Sequence, residues 1–212
     1  MSYVYITWLA DALRDGGCTV YEASGWKTRG RPASTGDFAP YGVLVHHTAT
    51  YATNDDPAPS KQLCIDGRTE PPLPGPLCHV LVSRTGKCWV IAAGRANHAG
   101  TAKASGPMPA GDGNVMYVGI EIDYDPSDPN NQSIADVQYE AAVKAAAAIL
   151  YYMSRGKNRA RAHKETSVTG KIDPSRFKHS MDEFRNDVGI AIQSRSDPCR
   201  VAADDADVAA RC

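Results

Sequence analysis

Six histidines are spread unevenly along a chain of 212 residues. His46 and His47 close one apolar run, and His79 opens another. His98 sits in Asn97-His98-Ala99-Gly100, His163 starts a polar stretch, and His179 precedes a helical pattern. A neutral imidazole suits zinc, so a histidine at a strand end facing a cleft is a candidate ligand. Taken singly, each also fits a hydrogen-bonded core residue or a surface one. A second signal is His163-Lys164-Glu165-Thr166-Ser167-Val168-Thr169-Gly170-Lys171-Ile172-Asp173-Pro174. Lys171 and Asp173 share a face wherever the chain is locally extended. His163 and Asp173 could then hold one metal while Lys171 points at whatever that metal binds; taken alone, the segment equally fits a solvated turn.

The surrounding pattern predicts the elements that must position these groups. Leu9 and Leu13 mark a short helix over residues 8–15, stopped by Gly16-Gly17. Thr19-Val20-Tyr21 reads as a short strand and Gly42-Val43-Leu44-Val45-His46 as a buried one. Residues 50–76 are proline-rich and aperiodic, which predicts a long loop of a kind uncommon unless functional. Val80-Leu81-Val82 and Cys88-Trp89-Val90-Ile91 flank Arg84-Thr85-Gly86 as a hairpin, and a second Gly/Pro-rich loop spans 94–114. From Val115 to Asp123 the residues alternate: Val118, Ile120 and Ile122 face one side, Gly119, Glu121 and Asp123 the other. A helix follows, with Ser133 as candidate N-cap and Ile134, Val137, Ala141, Ala145, Ala148, Ile149 and Tyr152 at helical spacing. Ser180-x-x-Glu183 opens a last helix carrying Met181, Phe184, Val188 and Ile192. Pattern alone leaves α/β and α+β both open.

The formal net charge is −1, with 42% hydrophobic and 22% charged residues. That balance places the chain among globular proteins and against a nucleic-acid binder. The longest apolar run, from Ala145 to Met153, is well short of the roughly 18–20 residues of a membrane span. The start, Met1 to Trp8, lacks the pattern of a secretory signal. The six cysteines form no Cys-x-x-Cys pair and read as mostly reduced thiols, with Cys199 and Cys212 able to bridge in a polar tail.

In this frame Val45-His46-His47-Thr48-Ala49 together with His163, Lys171, Asp173 and Pro174 resembles the zinc-dependent N-acetylmuramoyl-L-alanine amidase family, which includes phage endolysins, muropeptide-recycling amidases and peptidoglycan recognition proteins. Cys78-His79-Val80-Leu81-Val82 with Arg84-x-Gly86, His98-Ala99-Gly100 and Gly119-Ile120-Glu121 are similar to further family elements in the same order, over about residues 40–176. The segment from Trp8 to Gly30 resembles the leader of endolysins from phages of actinobacteria. Many phage members carry a cysteine as third ligand and a tyrosine before the hairpin histidine; here Asp173 and Cys78 stand there, a spacing closer to the recycling amidases.

The resemblance implies an α/β single domain: a central mixed β-sheet flanked by helices, with a zinc site in a cleft at the sheet edge. It implies His46, His163 and Asp173 as ligands of Zn2+, Glu121 as the base and Lys171 as the oxyanion partner. His98 and His47 are then expected in substrate binding, with His47 also holding the loop. The expected organisation is a leader over 1–40, a catalytic unit over 41–193 and a polar tail over 194–212. The expected activity is hydrolysis of the amide between N-acetylmuramic acid and L-alanine in peptidoglycan, by a phage endolysin. That enzyme is expected to be a monomer, to insert in no membrane, to be made in the host cytoplasm and to reach the wall through a separate pore. A recycling amidase and a non-catalytic peptidoglycan-binding module are the alternatives.

Overall fold

The computed structural model describes residues 2–196, so Cys199, Cys212 and most of the tail expected over 194–212 lie outside the described residues. Six strands form the main sheet: β1 (Val20–Glu22), β2 (Gly42–Val45), β3 (Val80–Val82), β4 (Cys88–Val90), β5 (Tyr117–Ile122) and β6 (Ala160–Ala162). The spatial order is β1-β4-β3-β5-β2-β6. Only the β3–β4 hairpin is antiparallel; β4 pairs parallel with β1, and β3, β5, β2 and β6 run parallel to one another. The sheet is therefore mixed, as expected.

The described helices are α1 (Leu9–Asp15), α2 (Lys61–Asp66), α3 (Gly113–Met116), α4 (Asp136–Tyr152), α5 (His163–Thr166) and α6 (Met181–Ser196). Strand alternation divides the sheet into two unlike faces. Val43, Val45, Val80, Val82, Val118, Ile120, Ile122, Ala160 and Ala162 enter one large core with Leu9 and Leu13 of α1, the alanines of α4, and Phe184 and Val188 of α6. Each fully buried aliphatic side chain there contributes about 1.5–3 kcal/mol. Leu44, Leu81 and Tyr117 point the other way into two smaller clusters beneath loops and short helices.

Several local expectations shift. Helix α4 begins after Ala135, and Gln138 Oε1 accepts the Ala135 N–H at 3.1 Å; Ser133 is not its cap, and its carbonyl instead accepts from Arg84 at 2.9 Å. Val137, expected in the apolar stripe, is 52% exposed, whereas Gln138 and Tyr139 are buried. The stripe is wide because α4 lies between the sheet, α1 and α6, and its alanines permit close approach: a Cβ on Gly16 would sit 2.6 Å from Ala148 Cβ. The loop over 50–76 contains α2 and a two-residue ribbon, Gly67–Arg68 against Leu73–Pro74. The capping box of α6 forms as expected, with Ser180 N and Oγ donating to Glu183 Oε2 at 2.7 and 2.8 Å.

Candidate metal centre and active site

The parallel register aligns Ala162, Val45 and Ile120 across three adjacent strands. Continued by one residue, it places His163, His46 and Glu121 side by side at the strand C-terminal ends, on the face opposite α4. Outer crevices at the carboxyl ends of parallel strands are where open α/β sheets bind ligands. The sequence folds this way because Val43, Val45, Ile120 and Ala162 are committed to the core. Period-two alternation then forces the next residue of each strand to the other face.

Asp173 arrives on a loop that is clamped at several points. The Lys164 N–H donates to the Asp173 carbonyl at 2.8 Å, and Lys164 Nζ to the Pro174 carbonyl at 2.9 Å. His47 Nδ1 accepts the Ser175 N–H at 3.1 Å, and Tyr124 Oη donates to the Ser175 carbonyl at 2.6 Å. His163 is itself fixed by Glu165, whose carboxylate accepts the Ala162 N–H at 2.8 Å, Arg161 at 2.9 Å and Arg185 at 3.0 Å. A backbone amide and two guanidinium groups thus converge on one carboxylate two residues from a candidate ligand, each a charge-assisted bond.

Three donor atoms meet at a point. His46 Nδ1 lies 3.1 Å from His163 Nδ1 and 2.9 Å from Asp173 Oδ2, and His163 Nδ1 lies 3.0 Å from the same Oδ2. A tetrahedral zinc with bonds near 2.0–2.1 Å has ligand–ligand edges of about 3.3 Å. The triangle therefore has nearly the size of one zinc coordination face, and its two nitrogens and one carboxylate oxygen fit a catalytic zinc that keeps a position open. Protonation states agree. Burial holds His46 below the usual imidazole range, against the pull of Asp173. Burial alone would raise Asp173, but its close contacts with His163 and His46 outweigh that and hold the carboxyl far below the ordinary range. Neutral imidazole and ionised carboxylate are the ligating forms.

Behind His46 lies a directional chain. His98 Nε2 donates to the Tyr117 carbonyl at 3.3 Å, which leaves His98 Nδ1 as an acceptor. That atom lies 3.1 Å from His46 Nε2, so His46 carries its proton on Nε2 and turns a bare Nδ1 toward Asp173 and His163. Fixing the tautomer of a ligating histidine through its other nitrogen is the usual task of such a partner. The His98 ring rests directly on the sheet because residue 119 is glycine: a Cβ there would lie 2.7 Å from His98 Cγ and Nδ1. Asn114 Oδ1 holds the loop by accepting the His98 and Ala99 N–H groups at 2.9 and 2.8 Å. His79 accepts the Gly119 N–H through Nδ1 at 2.9 Å and stacks on Phe38, and burial lowers its pKa to about 3.

Glu121 Oε2 is sealed from solvent and has no hydrogen-bond partner among the described residues. Burial, reinforced by Asp173 and Asp123, raises its pKa well above the ordinary value, with Lys171 pulling the other way. An unsatisfied buried carboxylate is costly, and such groups concentrate at functional sites. Lys171 is exposed at the rim, its backbone N–H donating to Ser167 Oγ at 3.2 Å. Asp123 turns away from the donor triangle, accepting from Thr48 Oγ1 at 2.8 Å, and burial raises its pKa to about 6.

The structure thus brings His46, His163 and Asp173 together, sets Glu121 next to His46, and keeps Lys171 close enough to influence both. His98 stands behind His46, and His47 pins the Asp173 loop while packing on Tyr124. Sequence reasoning passed over Glu165, Arg161, Arg185 and Asn114. Glu165 carried a local signal, an acidic residue three positions after the helix-entry residue Ala162. Arg161 carried another, its i,i+4 spacing to Glu165; Arg185 and Asn114 carried none, since their partners are remote in sequence.

The family model described as N-acetylmuramoyl-L-alanine amidase (Amidase_2) matches residues 37–176. Among solved structures, a selenomethionine derivative of AmpD superimposes with a TM-score of 0.56 at 20% identity, covering 86% of this chain and 97% of that one. The catalytic domain of XlyA gives 0.55 at 20% identity, covering 80% and 99%. The endolysine N-acetylmuramoyl-L-alanine amidase LysCS from Clostridium intestinale URNW gives 0.53 at 14% identity, covering 79% and 93%. These likenesses carry the fold. No curated protein sequence matches the chain.

Proposed function

Because the chain belongs to the N-acetylmuramoyl-L-alanine amidase family and is a peptidoglycan amidase, we propose that His46, His163 and Asp173 hold a catalytic zinc and that the enzyme serves as a phage endolysin in host lysis. The observation that carries the metal reading is the donor triangle with edges of 2.9–3.1 Å. When bound there, zinc supplies Lewis acidity that polarises a carbonyl and acidifies water. The chain's own groups do the rest. The Glu121 carboxylate, made more basic by burial, takes a proton from the attacking water and returns it to the departing L-alanine nitrogen. The Lys171 ammonium, reaching in from the rim, faces the negative charge that develops on the lactyl carbonyl oxygen. His98 orients His46; His47 holds the Asp173 loop against Tyr124, and both border the cleft expected to take substrate. The leader over 1–40 packs on the catalytic unit over 41–193 through Ile6, Leu9, Leu13 and Phe38 in the common core. No helix among the described residues is long and apolar enough to cross a membrane. We take the working form to be a monomer that is made in the host cytoplasm and reaches the wall through a separate pore.

The test is digestion of purified actinobacterial cell wall with and without a chelator, scoring new amino termini against new reducing sugars. New N-terminal alanine without reducing ends, lost on chelation and restored by zinc, is expected. Chelator-insensitive release would remove the metal from the mechanism. Cleavage of soluble muropeptides with intact wall untouched would replace the endolysin role by a recycling one.

A further inference from the structure

The four described cysteines form two contacting pairs, Cys18 with Cys88 and Cys64 with Cys78, joining segments that are separate in the chain. Their surroundings differ. Cys64 and Cys78 share a small buried cluster with Leu81 and Ile91, tied by the Leu77 N–H donating to the Cys64 carbonyl at 2.8 Å. Both thiols are pushed up, Cys78 chiefly by burial. Such thiols are inert.

Cys18 is half-buried on the edge of the sheet and lines an open cavity of about 110 Å³ with Gly17, Thr85, Gly86, Glu140 and Lys144. Cys88 lies directly behind it, fully buried in the core, and its N–H donates to the Thr19 carbonyl at 2.8 Å. Cys18 packs against the core cluster that contains Cys88, and Val20 of β1 pairs with Cys88 itself. The contact with Cys88 comes first among the causes that lower Cys18, burial opposes it, and the positive charges of Lys144 and Arg195 add to it. The same contact, with burial, pushes Cys88 well up. A low-pKa, accessible thiol with a protonated second thiol behind it is the arrangement of a redox-responsive pair.

We propose that Cys18 and Cys88 form a redox couple in which a low-molecular-weight disulfide of the glutathione class presents its sulfurs at the open mouth of the cavity, is attacked by Cys18 and is displaced by Cys88. In the first step the Cys18 thiolate bonds to one sulfur of the disulfide and the other sulfur leaves as a thiolate, which takes a proton from water. In the second, the Cys88 sulfur bonds to Cys18 Sγ, the second small thiolate leaves, and the Cys88 proton goes to it. The balance is two protein thiols and one small disulfide giving one protein disulfide and two small thiols. The product ties β4 to the turn after α1. This step is independent of the amidase chemistry and of any metal.

The reduced full-length protein is incubated with oxidised glutathione, quenched with an alkylating agent under denaturing conditions, and mapped by mass spectrometry of a non-reduced digest. A Cys18–Cys88 cross-link is expected while Cys64 and Cys78 remain alkylated thiols. The Cys88→Ser variant is expected to stop with glutathione retained on Cys18, and Cys18→Ser to leave Cys88 free; amidase activity confirms that each variant is folded. The oxidised wild type is expected to melt above the reduced form, with no such gain in Cys88→Ser. Glutathione retained on Cys18 in the wild type, oxidation of Cys64–Cys78 ahead of Cys18–Cys88, or Cys18 joined to Cys199 or Cys212 would each overturn the proposal.

Discussion

The two faces of the central sheet are built from the same strands and do opposite work. On the α4 side, Val43, Val45, Ile120, Ile122 and Ala162 meet a helix whose inner surface is largely alanine, and no candidate amidase residue lies there. On the other side, Leu44, Leu81 and Tyr117 fill two small apolar clusters, but toward the strand ends the residues one step out of phase are His163, His46, Gly119, Glu121 and His79. The histidines among them meet polar partners, His46 with His163 and His98 and His79 with the Gly119 N–H. The difference teaches that rigidity and reactivity are separated by one residue of phase. A substitution on the first face is felt in stability, and one among Glu121 and the donor triangle on the second in chemistry.

Acidification has the widest reach, because it acts on the fold through the polar face. His79 is buried and neutral with a pKa lowered to about 3, whereas in the unfolded chain it titrates near 6.5. The unfolded state therefore binds the extra proton between those values, and stability is lost as pH falls from about 6.5 toward 3. Urea midpoints of the wild type are expected to fall across this window, and those of His79→Gln to fall less steeply. Equal slopes would remove His79 as the cause.

Glu121→Gln is expected to lower kcat by about 10²–10⁴ while the melting temperature holds or rises, since a buried carboxylate without a partner is removed. A parallel loss of fold would break the division between faces. Lys171→Ala is expected to cost about 10²–10³ in kcat with little change in stability, because its side chain is exposed at the rim.

His98→Ala is expected to weaken zinc binding by roughly 10–100-fold, read by competition with a chromophoric chelator. His98→Asn, which sets an amide oxygen where Nδ1 stood, is expected to recover part of that loss. If both variants bind zinc like the wild type, the chain from the Tyr117 carbonyl to His46 orients nothing. The smallest effect belongs to the apolar face: Ile120→Val is expected to cost about 0.5–1.5 kcal/mol, or a few degrees of melting temperature, at unchanged kcat per folded molecule.

Much of this division was legible in the sequence, because alternation in β5 and the run ending at His46 state the phase directly. The same reasoning paired His163 with Asp173 from local spacing. It misplaced the start of α4, where Gln138 rather than Ser133 satisfies the helix entrance. It also drew too narrow a stripe on that helix, since a helix buried on several sides hides its period and leaves Val137 outside while Gln138 is inside. The supports of the candidate site were invisible for a different reason. Arg185 reaches Glu165, and His98 reaches His46, only after remote segments have come together. Nothing in a local window records such a meeting. The thiol contact between Cys18 and Cys88 belongs to the same class.

The row formed by His163, His46 and Glu121 has a bearing on how the molecule matures. Its members come from three strands that are far apart in the chain and pair in parallel, and such long-range pairings are slow to form. The three come into line only when both pairings are made, so a chain that lacks either carries no assembled site. Any ligand that gathers the donor triangle also adds its binding energy to the native state alone. Catalytic competence and resistance to unfolding thereby rest on the same two pairings.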